Sequence, residues 1–257
     1  MNSDPKQAAF KPLEGETFKF RCYKGIDCFT RCCADLNLIL TPYDILRIKN
    51  RLGVSSADFL DQYVDQVTDS QSGFPMVKLR MNQDANKSCP FVSADGCTIY
   101  EDRPGACRIY PLGRASTKPD ARAKALEKYF LVVEDHCLGF QEEKEWTVDE
   151  WMRHEGIHEY NAMNDQWMEI ITSRKSLGAE KDHHQKMQMF FMASYNLDRF
   201  RDFVFKSSFF ELFDVDRDTR QDLASSDAAL MQFAFKWLKF SLFGDQTMLV
   251  KSQKTQA

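Results

Sequence analysis

The chain has 257 residues, with 34 Lys and Arg against 38 Asp and Glu, a net charge of −4 and 43% hydrophobic residues. This balance argues against a dedicated nucleic-acid binder, and a chain of this length builds a core without disulfides or metal to staple it. No apolar run approaches the ~20 residues that span a bilayer, and the polar start Met1 to Lys6 leads into no signal-peptide core, so a cytoplasmic, reducing compartment is expected.

Residues 1–17 are expected to form an extended, partly disordered arm. Residues 18–35 hold a first cysteine run, Cys22, Cys28, Cys32 and Cys33, in a loop around Gly25. Two short helices follow. Thr41-Pro42-Tyr43-Asp44 is a capping-box start with proline at the first helical position, Ile45, Ile48 and Leu52 recur at helical spacing, and Gly53 ends the element. Ser55 caps the second, with Phe59, Leu60, Tyr63 and Val64 on one face. Met76 to Met81 alternates as a strand, Tyr129 to Val133 is a second strand candidate, and residues 114–124 read as a polar surface loop.

The second cysteine run is Cys89-Pro90, Gly96-Cys97 and Cys107-Arg108, with Cys137 alone behind it. From Trp146 onward there is no cysteine. Helices are expected at about 147–174, 181–195, 198–213 and 218–242, with breaks at Gly178, Asn196 and the acidic stretch Asp214 to Asp218. Phenylalanine is heavily used here, from Phe190 to Phe235, which suits a bundle core and, alternatively, an aromatic groove for a protein or peptide partner. Residues 244–257 read as a frayed tail. The expectation is an α+β protein. A cysteine-rich, loop-dominated metal-binding domain (18–145) with a small sheet and short helices precedes an α-helical bundle (146–243).

Thiols gathered this densely bridge each other, bind metal or do redox chemistry. Disulfides fit the even count but not a reducing compartment. Structural zinc wants four thiolate or imidazole ligands, usually in close pairs. Here Cys28 and Cys32 have three residues between them, Cys22 and Cys28 five, and Cys89, Cys97 and Cys107 seven and nine, and no C-x-x-C occurs. An iron–sulfur cluster is larger than one ion and tolerates wider spacing. Arg103 and Arg108 flank Cys107, and Arg21 and Arg31 flank the first run, where guanidinium groups offset the negative charge of thiolates around a cluster. Iron–sulfur, as a 4Fe–4S cluster, therefore ranks ahead of zinc. Cys32, Cys33, Cys89, Cys97 and Cys107 lead the ligand candidates, followed by Cys22, Cys28 and Cys137. Side chains of neighbouring residues point apart in regular backbone, so Cys32 and Cys33 are expected to serve different metals. Tyr100, Asp102 and Tyr110 suit local packing or hydrogen bonding to ligand sulfurs or a substrate, and Glu101 and Arg103 a surface pair. No catalytic residue stands out.

These residues resemble the cysteine-cluster family with the C-x-x-C-x-x-C-C signature, the zinc- or iron-chelating domain of the YkgJ family. The resemblance spans about residues 20–140. Its specific part runs from Cys89-Pro90-Phe91 through Gly96-Cys97-Thr98-Ile99-Tyr100-Glu101-Asp102-Arg103-Pro104 to Cys107-Arg108-Ile109-Tyr110-Pro111, with Thr41 to Ile45 as the family's first helix start. In the first run the gaps of two are stretched to five and three. The family includes flagellin lysine N-methylase. The resemblance therefore implies a metal or iron–sulfur centre and methyl transfer from S-adenosylmethionine to protein lysines. No G-x-G-x-x-G fingerprint is present, so a methyl donor would bind in another fold.

One motif stands outside that resemblance. His154-Glu155-Gly156-Ile157-His158 spells the H-E-x-x-H of zinc proteases. On a continuous helix, Val148, Met152, Met163, Trp167 and Ile170 make the apolar stripe, and His154 and His158 fall opposite it, facing solvent. His183 and His184 likewise read as surface.

Overall fold

Local signals place the first helices. In the computed structural model, which describes residues 9–117 and 126–251, Thr41 and Asp44 form a reciprocal capping box at the start of helix Pro42–Leu52, and Gly53 ends it at φ 67°. Ser55 accepts a hydrogen bond from the Asp58 amide at 3.1 Å and starts helix Ser56–Tyr63. Small antiparallel sheets and a set of helices make the fold mixed α+β.

By packing, the chain divides into two compact units, Met1–Leu38 with Met81–Tyr160 and Ile39–Arg80 with Asn161–Ala257. This grouping differs from a boundary at 145/146, because the 42–63 helices bury their faces with the late helices rather than with the cysteine loops.

In the first unit, strands Ala9–Pro12, Leu126–Val133 and Leu112–Thr117 form one antiparallel sheet in that spatial order, with Ala9 opposite Val133 and Leu112 opposite Leu131. Strand Glu145–Thr147 pairs with Thr17–Lys19. The core is Phe18, Phe20, Leu112 and Trp151, against which Ile109, Tyr110, Tyr129, Cys137 and Trp146 pack. Phe20 meets Tyr110 and Trp151 edge-on at 5.7 and 5.6 Å, contacts that each add about 0.5–1.5 kcal/mol beyond area burial.

In the second unit, strands Ile39–Leu40, Pro75–Leu79 and Val64–Thr68 form an antiparallel sheet with Pro75–Leu79 in the middle. Helices His183–Tyr195, Leu197–Lys206 and Asp227–Phe243 supply most of the core. Phe190, Phe200, Phe209 and Phe235 are fully buried, so most of the aromatic content is interior packing. No helix among the described residues is long and apolar enough to cross a membrane.

Several expectations are corrected. The helix expected over 147–174 is two, Val148–His154 and Ile157–Ile171, because Gly156 takes φ 63° between them. The 198–213 stretch stops at Lys206 and resumes as the turn Phe209–Leu212. The 218–242 stretch breaks at Ser226, whose hydroxyl accepts from the Ala229 amide and caps a new helix. Part of the arm is ordered: Ala9–Pro12 is a sheet strand, and residues 1–8 lie outside the described residues. Arg114 to Thr117 belong to a strand rather than a loop, and residues 118–125 lie outside the described residues. The tail folds back, with Val250 bridging Phe213 and Met248 buried, while residues 252–257 lie outside the described residues.

A charged network ties the second unit together. The Lys49 ammonium, almost fully buried, sits 3.3 Å from the Asp227 carboxylate and 3.8 Å from Asp198, and Arg201 reaches Asp227 at 2.5 Å. Burial opposes ionisation of Asp227, but Lys49, Asn50 and Arg201 outweigh it and hold its pKa below the usual carboxylate value. A group so depressed stabilises the fold above its unfolded pKa of about 4, and that contribution is lost as pH falls through the folded value. Asp227→Asn is expected to cost about 1–3 kcal/mol at pH 7 in urea unfolding, since Lys49 stays buried with only Asp198 opposite. The deficit should shrink as pH drops below about 4.

Candidate metal centre

The first cysteine run is a chain of turns. Phe29 donates to the Ile26 carbonyl, Arg31 to Cys28 and Cys33 to Thr30, and Gly25 and Thr30 take positive φ. The second run is laid against it by backbone: the Cys89 amide donates to the Cys33 carbonyl at 2.8 Å, and Ala34 bridges Ser88. Cys97 closes the short hairpin Val92–Ser93/Gly96–Cys97. Cys107 rides on the helix Gly105–Ile109. Cys137 precedes the turn Leu138–Gln141, whose first amide donates to the buried Cys28 sulfur at 3.3 Å.

All eight cysteines are free thiols. They form one electrostatically interacting group. Cys32 acts on Cys22, Cys33, Cys89, Cys97 and Cys137; Cys107 acts on Cys33; and Cys28 acts on Cys22 and Cys137. Burial and the neighbouring thiols push the Cys22 thiol up to about 11, although the residue itself is exposed. The hydrogen bond with Cys32, then burial, raises Cys33, and burial foremost raises Cys89, Cys97 and Cys137. Thiols packed this way hold their protons unless a cation is supplied, and a bound metal inverts that balance.

Cys32 and Cys33 do not point apart. Their sulfurs are 4.0 Å from each other. Both residues lie in turn backbone rather than in a strand, so the alternation that separates neighbours in extended chain does not apply. Two thiolates on one tetrahedral zinc at about 2.3 Å stand about 3.8 Å apart, so this pair fits a shared metal. Among the described residues no three Cys, His, Asp or Glu side chains are drawn together tightly enough to enclose a single ion. The donor set thus fits a thiophilic metal by its chemistry, and it is spread more widely than a closed four-ligand cage.

The charged candidates take distinct places. Arg103 is buried, and its guanidinium lowers the pKa of both Cys22 and Cys97. It is not in a surface pair with Glu101: its partner is the buried Glu155, and it stacks over the Tyr100 ring at 3.7 Å. Arg108 donates to the carbonyls of Glu155 and Glu101, both at 2.5 Å, and so braces the loop. The Tyr110 hydroxyl is buried without a hydrogen bond of good geometry, and burial together with the adjacent Cys137 thiol raises its pKa. His154 and His158 are exposed as expected, whereas Glu155 between them is buried. The burial of Glu155 and its pairing with Arg103, and the role of Tyr160, escaped the sequence reading. Gly156, a helix breaker inside the motif, was the one local sign that Glu155 leaves the polar face.

Fold and thiol cluster together define a chelating domain carried in an α+β chain. Residues 21–145 match the family CxxCxxCC, described as "Putative zinc- or iron-chelating domain". The matched segment, just under half of the chain, holds all eight cysteines, and a thiol donor set of this kind fits zinc or iron chelation. No curated protein and no solved structure matches the chain.

Cys32 influences the ionisation of more of the other thiols than any other cysteine and lies 4.0 Å from Cys33, whereas Cys22 is exposed. Serine replacement should follow that order. Cys32→Ser is expected to weaken metal retention by at least about 10–100-fold, a change that altering a ligand's partner alone brings about. Cys22→Ser should cost less. Metal per chain after equilibrium against graded chelator measures both.

Proposed function

We propose that the cysteine cluster ligates an iron–sulfur centre. The observation that carries this reading is the form of the cluster. No disulfide joins the eight cysteines, and the two runs come from separate loops that the backbone lays side by side, the Cys89 amide on the Cys33 carbonyl at 2.8 Å. A cubane is larger than an ion and takes four thiolates at its corners, so wider donor spacing suits it. The Arg103 charge favours ionisation of Cys22 and Cys97, which as thiolates around such a core would be negative. The bound centre would supply electron-transfer or Lewis-acid chemistry, while the chain's own residues hold the loops and set the local charge. Eight cysteines without a disulfide suit a reducing compartment such as the cytoplasm.

The 4.0 Å separation of Cys32 and Cys33 favours a second reading, structural zinc in a module without catalysis. The resemblance to flagellin lysine N-methylase extends the first reading to methyl transfer from S-adenosylmethionine to a protein lysine.

Purification without oxygen, followed by iron, zinc and acid-labile sulfide analysis and a visible spectrum, decides between the readings. A brown protein with iron and sulfide in equal amounts is the expected result. A colourless protein holding zinc overturns the iron–sulfur reading. Transfer of labelled methyl groups from S-adenosylmethionine to a lysine-rich protein substrate tests the extension, and no incorporation by the metal-loaded chain removes it.

A further inference from the structure

We infer that Glu155 is a positioning residue of the metal centre, contributed from outside the segment that matches the chelating family. The inference rests on the metal-centre reading. It also gives the H-E-x-x-H motif a role other than proteolysis.

Four contacts join the 155–160 segment to the 101–108 loop between Cys97 and Cys107. The Glu155 carboxylate pairs with the Arg103 guanidinium. The Glu155 carbonyl accepts from Arg108 at 2.5 Å. The Tyr160 hydroxyl donates to the Arg103 carbonyl at 3.2 Å, and the Tyr160 ring lies 5.0 Å from the Arg108 guanidinium. All four residues are buried, with 8% exposure for Arg103 and Arg108, 4% for Glu155 and 2% for Tyr160. Charges almost never sit this deep unless paired. Here two arginines and one glutamate are placed within one network, leaving an excess of one positive charge.

The geometry that builds it is specific to the break in the motif. Helix Val148–His154 ends at Glu155, whose amide still donates to the Trp151 carbonyl, and Gly156 turns the chain at φ 63° into the next helix. A β-carbon on Gly156 would stand 3.6 Å from the Arg108 guanidinium, and any side chain would be strained at that φ. The two histidines therefore do not share one helical face, and the glutamate is turned inward between them. One Glu155 oxygen meets Arg103, and the other lies 3.0 Å from the exposed His154 imidazole.

The consequence reaches the thiols through Arg103. Arg103 stacks over Tyr100 and donates to its carbonyl at 2.9 Å, and Arg108, next to Cys107 on the helix Gly105–Ile109, holds the Glu101 carbonyl, so the clamp fixes the chain between Cys97 and Cys107. Glu155 holds the Arg103 guanidinium in place while its own charge partly offsets it. Without Glu155, Arg103 is a buried cation with no anion and moves toward solvent, taking positive charge away from the thiol cluster.

Three variants test this by the rate at which a chelator strips metal from the purified holoprotein. Glu155→Gln keeps an acceptor for Arg103 and should release metal at close to the wild-type rate. Glu155→Ala should release it about 10-fold faster or more, in the range typical of lost outer partners. Because Glu155→Ala leaves a buried cation, the double replacement Arg103→Met with Glu155→Leu provides a folded control, since removing both charges of a buried pair is often neutral to stability. It should also release metal faster, and in an iron centre its midpoint potential should fall while that of Glu155→Gln rises. A 10-fold change in the redox equilibrium corresponds to 59 mV for one electron. A merely structural Glu155 would leave the potential of Glu155→Gln unchanged. Equal release from the wild type and the double variant overturns the inference, as does Glu155→Gln releasing as fast as Glu155→Ala. If the wild type carries no metal, the metal-centre reading fails by itself. The positioning role is then read from iodoacetamide labelling of Cys97 in the metal-free chain. An altered rate in Glu155→Ala restored in Glu155→Gln supports it, and identical rates overturn it.

Discussion

The structure depends on crowding eight thiols into one group. Burial raises the pKa of Cys22, Cys33, Cys89, Cys97 and Cys137, and Cys32 adds to each of these shifts. A thiol is an effective metal ligand only as the thiolate. The arrangement thus opposes the ionisation it requires for ligation until positive charge enters the site. Arg103 provides part of that charge from the protein, and a metal provides the rest. This accounts for a buried guanidinium lying beside sulfur atoms that, as neutral thiols, would have no use for it.

Holding such loops in register falls to a modest scaffold. The runs have little regular structure of their own, so their positions come from backbone hydrogen bonds such as Cys89 to Cys33 and from aromatic packing behind them. Phe20, two residues before Cys22, is buried among Tyr110, Phe140 and Trp151. Gly139, two residues after Cys137, lets the chain approach so closely that a β-carbon there would fall 2.6 Å from the Phe20 ring. The indoles of Trp146 and Trp151 donate to the carbonyls of Phe20 and Ile109, fastening the segments that lead into Cys22 and out of Cys107. The core therefore touches the first run, the Cys107 helix and Cys137 at once.

Legibility in the sequence followed how local each determinant is. The helices at 42–63 were readable because Thr41, Pro42, Gly53 and Ser55 act on their own turn. The strand at 75–79 was readable from alternation that one buried face imposes. The breaks at Gly156 and Ser226 were harder, because a glycine or serine inside an apolar periodicity is tolerated in many helices and interrupts them only when packing on either side demands a turn. The strand at 9–12 has no buried residue and is specified by its partner, 130–133, more than a hundred positions away. The candidate ligands were visible as residue types and spacing, but the meeting of Cys32 and Cys33 depended on the turn backbone at those two positions.

The amino-acid sequence by itself determined that this chain carries a thiol-based chelating domain, because cysteine count, Cys-Pro, Gly-Cys and the Arg-Pro loop are local chemical facts that no fold can alter. It also determined the capped helices and the absence of a long apolar helix. Only the tertiary structure decided which charge faces the thiols, since Arg103 and Glu155 are 52 positions apart and become partners solely through burial. Desolvation makes an unpaired charge too costly to keep there. Pairing of this kind depends on distance in space, and spacing along the chain does not encode it.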